Sequence, residues 1–305
     1  MTGERLGKNV ALALGLVVAG HGRHYVVESP DGQRIICHPR GKKSDCVVGD
    51  RVRWQASGDE GVIEKVEPRR NLLFRQDEWK TKSFAANLDQ LLVLVAAEPV
   101  FSESQLARAL IAAEDAGIPA RILLNKTDLP SISAARERLR AYSAMGVEVL
   151  DVALKARTLE ASALLGPLLN GRATLVLGPS GTGKSTLINL LAPDARAQVG
   201  EVSQALNSGR HTTTHTQWYW LDGERRTALI DSPGFQEFGL RQIDAQRLST
   251  LMPDLRDHAG ACKFYNCSHQ HEPGCGVRTA LERGAISESR YRIYGEILGE
   301  LVKRA

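Results

Sequence analysis

Residues Ala173-Thr174-Leu175-Val176-Leu177-Gly178-Pro179-Ser180-Gly181-Thr182-Gly183-Lys184-Ser185-Thr186 run from an apolar segment into a glycine-rich loop that closes on Lys-Ser-Thr. Each part answers a separate demand of a bound nucleotide. Gly178, Gly181 and Gly183 let backbone N–H groups curl round phosphates, Lys184 supplies charge to the β and γ phosphates, and Ser185 offers a hydroxyl to Mg²⁺. Pro179, Ser180, Thr182 and Thr186 complete the candidate phosphate-contacting set. The flanks fit as well: a buried strand at 174–177 runs in, and the amphipathic Leu187-Ile188-Asn189-Leu190-Leu191 runs out as a helix. Strand, phosphate loop and helix in that order predict an α/β nucleotide-binding domain.

A phosphate loop is shared by ATPases and kinases, so the base must be read elsewhere. Asn125-Lys126-Thr127-Asp128 stands at the end of the apolar run 121–124. The Asp128 carboxylate can accept hydrogen bonds from N1–H and the exocyclic amine of guanine, whereas adenine offers an acceptor at N1 and no amine on that edge. Asn125 orients the loop, and Lys126 lies over the base plane. A third motif, Asp231-Ser232-Pro233-Gly234, follows an apolar strand at 227–230; there Asp231 can reach Mg²⁺ through water and the Gly234 N–H can sense the γ-phosphate.

Phe235 comes directly after that glycine, where many GTPases place a glutamine that orients the attacking water. Phenylalanine cannot do this. The polar loop Gly209-Arg210-His211-Thr212-Thr213-Thr214-His215 supplies the alternative: His211 to orient water and Thr213 to complete the Mg²⁺ shell, with Lys184 as the third catalytic candidate. The competing reading makes His211 an ordinary loop residue.

Ordinary small GTPases carry the phosphate loop first and the guanine motif later. Here the guanine motif precedes it, so the domain reads as circularly permuted, a rearrangement that adjacent surface termini make structurally cheap. As a consequence, Asp231 to Gly234 leads straight into the C-terminal module.

Outward from this domain the texture changes on both sides. Residues 11–19, 24–28, 33–38, 51–54 and 62–66 read as five short strands broken by Gly, Pro and Asp turns, which suggests a small OB-type barrel. Such a barrel binds single-stranded nucleic acid or serves only as a packing module; Arg40, Lys42, Lys43, Arg51 and Arg53 favour phosphates. From Leu88 on, apolar runs at 91–96, 121–124, 147–152 and 173–177 alternate with helical stretches at 102–116, 134–144 and 159–169, and strands at 217–221 and 227–230 complete a six-stranded sheet. The expected domains are 1–70 (barrel), 71–240 (permuted GTPase) and 241–305 (a mostly helical zinc module ending in a helix from Ser287). In the last, Cys262-x4-Cys267-x-His269-x5-Cys275 offers three thiolates and one imidazole, which suit a closed tetrahedral structural Zn²⁺ site. His271 competes with His269 as the fourth ligand.

Composition sets looser bounds. The chain has 305 residues, 43% apolar content and a formal charge of +4 from 39 basic and 35 acidic residues, too close a balance to name a nucleic-acid partner by itself. Arg5 and Lys8 ahead of the apolar run 10–19 superficially copy a secretory signal, but that run passes directly into Tyr25-Val26-Val27 and Arg34-Ile35-Ile36 as a β-meander would. With no apolar stretch near the ~20 residues of a membrane span, the chain is expected to be soluble, cytoplasmic and without a membrane partner.

Taken together, these features resemble the bacterial small-ribosomal-subunit biogenesis GTPases, the RsgA family of circularly permuted GTPases. The matching positions are Val48-Gly49-Asp50-Arg51-Val52, Asn125 to Asp128, Gly178 to Thr186, Gly209 to Thr213, Asp231 to Gly234 and the Cys262, Cys267, His269, Cys275 set. Ser232 stands where that family more often has threonine, and Ala153-Leu154-Lys155 is a loose version of its Ser-Ala-Lys base-contacting segment. The resemblance implies binding of the 30S subunit and its 16S rRNA, ribosome-stimulated hydrolysis of GTP late in subunit maturation, Mg²⁺ with the nucleotide and one structural Zn²⁺. A monomer is expected. Two other readings stay open from the residues alone: a zinc-dependent RNA-binding scaffold with vestigial hydrolysis, and a metabolic P-loop nucleotide enzyme.

Overall fold

Five short strands open the chain and close on themselves. In the computed structural model, which describes residues 12–41, 45–76, 81–193, 216–234 and 238–303, these are β1 (Ala13–His21), β2 (His24–Glu28), β3 (Arg34–Pro39), β4 (Arg51–Ser57) and β5 (Glu60–Val66). They pair in the order β1-β2-β3-β5-β4 and back to β1, with only β3 and β5 parallel. That is a five-stranded OB-type barrel. Val17, Val27, Cys37, Val52, Trp54 and Ile63 fill its interior. Alternation would send their neighbours into water, yet Val18 and Val26 are also buried, because the barrel wall packs onto the rest of the molecule.

The sequence reading passed over the element that makes this contact. Strands β6 (Leu72–Gln76) and β7 (Thr81–Ala86) form a separate hairpin. Against it lies the tight turn Val48-Gly49-Asp50, where Gly49 has φ +89° and a Cβ would fall 2.2 Å from the Ala86 carbonyl oxygen. Arg69 holds the same turn through two bonds to the fully buried Asp50, at 2.7 and 2.9 Å.

Next comes the expected six-stranded sheet: β8 (Gln90–Ala96), β9 (Ala120–Asn125), β10 (Val149–Asp151), β11 (Ala173–Leu177), β12 (Gln217–Trp220) and β13 (Ala228–Asp231), ordered β10-β9-β8-β11-β13-β12. All neighbours are parallel except β12 and β13. Both faces are covered. Helices α1 (Glu103–Asp115) and α2 (Ile132–Ala144) share one core with Leu91, Val93 and Val95, while α3 (Thr158–Leu169) and α4 (Lys184–Leu191) share another with Leu92 and Leu94. Burial on two sides is why β8 reads as an unbroken apolar run. The sheet does not end at β12, since Gln217 pairs with Ala19 of β1 and joins barrel and sheet into eleven hydrogen-bonded strands.

After a 3₁₀ turn (Ala245–Leu251), helices α5 (Pro253–Ala259), α6 (Gly276–Glu282) and α7 (Glu288–Val302) complete the chain. The Ser287 hydroxyl caps α7 by accepting from the Arg290 N–H.

Candidate nucleotide site and metal centre

The phosphate loop leaves the C-terminal end of the central strand β11 and enters α4, the edge at which open α/β sheets bind ligands. Its glycines are forced by contact. A Cβ on Gly178 would fall 2.6 Å from the Leu94 carbonyl oxygen, and Gly183, at φ +105°, would place one 2.2 Å from the Asn125 amide nitrogen. Thr182 is buried and donates to the Pro179 carbonyl at 2.9 Å, closing the turn on itself.

Three segments distant in sequence meet here. Asn125 Nδ2 donates to the Thr182 carbonyl at 2.8 Å, and Asn125 Oδ1 accepts from the Leu154 N–H at 3.0 Å. One buried amide therefore ties the guanine-reading loop to both the phosphate loop and the Ala153-Leu154-Lys155 segment. Lys126 has φ +61°, while Asp128 is exposed at the rim, so its carboxylate is open to a base edge. On the other flank, Lys184 Nζ lies 3.2 Å from Asp231 Oδ1. The Ser232 hydroxyl, fully buried, donates to the Val176 carbonyl at 2.9 Å. This fixes the start of the third motif against the phosphate-loop strand, and a serine suffices because only the hydroxyl is used. Gly234 faces the same loop: a Cβ there would stand 3.7 Å from the Ser180 amide nitrogen. Ser185 is exposed at the first turn of α4, as a hydroxyl reserved for Mg²⁺ requires. His211, Thr213, Lys42, Lys43 and Phe235 lie outside the described residues.

The four expected metal ligands converge. All ligand atoms of Cys262, Cys267, His269 and Cys275 lie within 4.8 Å of one another. Cys262 Sγ is 3.4 Å and Cys275 Sγ 3.5 Å from His269 Nδ1, and the two sulfurs are 3.9 Å apart. A tetrahedron with Zn–S near 2.3 Å and Zn–N near 2.1 Å has edges of about 3.8 and 3.6 Å, so the set fits Zn²⁺. His271 is exposed and outside the cluster, which settles the alternative in favour of His269. Without a cation, burial pushes the Cys267 thiol up to about 12; a bound Zn²⁺ reverses that by favouring thiolate.

The shell around the ligands carried no sequence signal. The Glu272 carboxylate accepts from the backbone N–H groups of Ser268, Gln270 and His271, at 2.7, 3.2 and 3.2 Å, and the Ser268 bond chiefly holds its carboxyl down at about 2. Tyr291 and Tyr294 donate to the carbonyls of His269 and Ser268, at 2.6 and 2.8 Å. His269 itself sits at φ +61°, a conformation these bonds sustain.

With this geometry described, comparison with known proteins gives a consistent result. The sequence model of the RsgA GTPase family matches residues 66–241. The chain is 63% identical over 292 residues to a small ribosomal subunit biogenesis GTPase RsgA of Variovorax paradoxus, a match that covers 94% of this chain and 92% of that protein. Among solved structures it resembles YjeQ from Thermotoga maritima, with a TM-score of 0.73, 30% identity and coverage of 96% of this chain and 100% of the other. It also resembles YloQ, described as a circularly permuted GTPase, with a TM-score of 0.70, 26% identity and 99% coverage of both chains.

Proposed function

The chain belongs to the RsgA GTPase family, and from that premise we propose that it is a GTP hydrolase of small-ribosomal-subunit biogenesis whose turnover is stimulated by the 30S subunit. The observation that carries the reading is the Asn125 bridge. A base-reading loop and a phosphate loop, 57 residues apart and in permuted order, share one buried amide and so face one ligand.

In this reading the Asp128 carboxylate accepts from the guanine edge, and Asn125, Lys126 and Thr127 shape the loop that presents it. Backbone N–H groups of Gly178 to Thr186 receive the phosphates; Pro179 and Thr182 fix the turn, and Ser180, Gly181 and Gly183 leave room for the ligand. When GTP enters, Lys184 exchanges its contact with Asp231 for the β and γ oxygens. Ser185 and Asp231 are the residues that would hold Mg²⁺, which neutralises charge on the transferring phosphoryl group. Gly234 offers its N–H to the γ-phosphate, and we assign the orientation of water to His211 and the completion of the cation shell to Thr213. The three modules are taken as 1–70, 71–240 and 241–305, with the barrel and the zinc module as the surfaces for 16S rRNA. The chain acts as a monomer in the cytoplasm; no described helix is long and apolar enough to cross a membrane.

Purified 30S subunits should raise GTP hydrolysis by at least about tenfold, in the manner of other partner-activated GTPases. An unchanged rate on adding them sinks the proposal. Replacing Asp128→Asn should move base preference from guanosine to xanthosine nucleotides, because the amide donates where the carboxylate accepted.

A further inference from the structure

The turn Glu98-Pro99, between β8 and α1, meets both the base loop and the phosphate loop. Its first contact is with the base loop: the Glu98 carbonyl accepts from Lys126 Nζ at 2.6 Å. Its second is with the start of the following helix, where the Ser131 hydroxyl donates to Glu98 Oε1 at 2.7 Å. Ser131 is the N-cap residue of α2, and its side chain makes no capping bond to that helix. A hydroxyl placed to cap a helix start is instead directed at a neighbouring turn. Third, a Cβ on Gly181 would stand 3.4 Å from Pro99 Cδ, so the same turn lies against the phosphate loop.

We propose that Glu98 is a positioning residue for guanine recognition, a clamp that holds both ends of the segment from Lys126 to Ser131. This rests on the functional reading above. The carboxylate pins Glu98 to Ser131, and the carbonyl so placed holds the Lys126 ammonium beside the base instead of free in water. A tethered loop loses less freedom when the nucleotide arrives, so the effect belongs to affinity and not to the phosphoryl step. Asp128, between the two anchored points, inherits its place from them.

The test uses the full-length zinc-loaded protein and fluorescent GDP and GTP analogues. Glu98→Ala should raise the dissociation constant of both nucleotides and the KM for GTP by about tenfold, as loss of one charged hydrogen bond implies, with kcat at saturation within about twofold. Glu98→Gln, whose amide oxygen accepts the same hydroxyl, should recover most of that loss. Ser131→Ala should match Glu98→Ala, and the double variant should be no weaker than either. Preference for GTP over inosine triphosphate, which lacks the exocyclic amine, should narrow in the same variants. The clamp is overturned by unchanged dissociation constants, by additive losses in the double variant, or by a loss confined to kcat. Those outcomes in a chain that still selects GTP over ATP remove the clamp alone; a parent chain that binds both equally removes the functional reading as well.

Discussion

The barrel and the zinc module flank the same GTPase sheet, yet they are attached by different physics. The barrel keeps an interior of its own, with Val17, Val27, Val52, Trp54 and Ile63 packed only among themselves and their barrel neighbours. It meets the sheet along a backbone seam, β1 on β12, backed by Val18, Ala19 and Val26 of its outer wall and reinforced where Trp220 Nε1 donates to the buried Glu28 carboxylate at 2.7 Å. The zinc module has no such private core. Leu248, Leu255, Val277, Ile293 and Ile297 belong to one continuous cluster with Leu106 and Ile111 of α1. Ion pairs from Arg108 to Glu300, Arg256 to Glu114 and Arg247 to Asp115 stitch its rim to that helix. The difference separates a module joined by a strand seam from a platform that shares the domain's core. The barrel grips β12, which follows the segment holding His211 and Thr213 along the chain, whereas the zinc module grips α1.

Removal of zinc tests this contrast most severely. Structural Zn²⁺ sites supply about 10 kcal/mol or more of folding free energy, so a chelator should unfold the module. Because the core is shared, hydrogen exchange in α1 should accelerate with it while β3 and β5 of the barrel stay protected. Independent melting of α1 and the module breaks the platform picture.

Next in size is Arg290→Ala. Arg290 is 2% exposed, makes a bidentate pair with Asp254 at 2.7 and 3.0 Å, and stacks 5.0 Å from the Tyr142 ring centroid in α2. Loss of the guanidinium leaves the Asp254 carboxylate, only 9% exposed, without its partner, which costs about 3 kcal/mol. Urea denaturation should report the loss in module and GTPase domain together. Phe238→Ala should cost a similar or slightly smaller amount. Its ring stacks on Phe84 of the hairpin at 5.6 Å, and the adjacent Gln76 N–H donates to the Gly239 carbonyl at 3.2 Å. That variant sharpens the comparison, since it loosens the hairpin's hold on the chain beyond the Asp231 motif; 30S stimulation should fall more than intrinsic turnover.

Glu28→Ala should cost about 1–3 kcal/mol, since the indole N–H of Trp220 and the Arg34 guanidinium lose a shared acceptor. Exchange at the β1–β12 seam should rise while zinc affinity is unmoved. The smallest effect is expected for Glu272→Ala, about 1 kcal/mol by analogy with a lost cap, read as faster zinc release. Its carboxyl is held down at about 2 against an ordinary 4.5, so its contribution is complete above about pH 4.5 and lost as the pH falls towards 2. The alanine variant should lack that acid-limb dependence.

Much of this was legible along the chain. The five barrel strands, the six sheet strands and the capped helices follow from periodicity, since each is a local pattern of apolar spacing and turn residues. The glycines of the phosphate loop and the ligands at 262, 267, 269 and 275 are short motifs in which spacing itself encodes geometry. The hairpin at 72–86 was not legible, because two half-polar strands lack alternation strong enough to stand out and their reason for existing is the surface they fill. Glu28, Glu98 and Glu272 looked like any surface glutamate. The amino-acid sequence by itself determined which chemistry the chain can perform, because phosphate, guanine and zinc are each recognised by residues close together along it. Only the tertiary structure decided which module is attached to which part of the GTPase sheet, because the attachment of barrel and platform depends on backbone and side-chain partners as far apart along the chain as Ala19 and Gln217, whose meeting no local pattern announces.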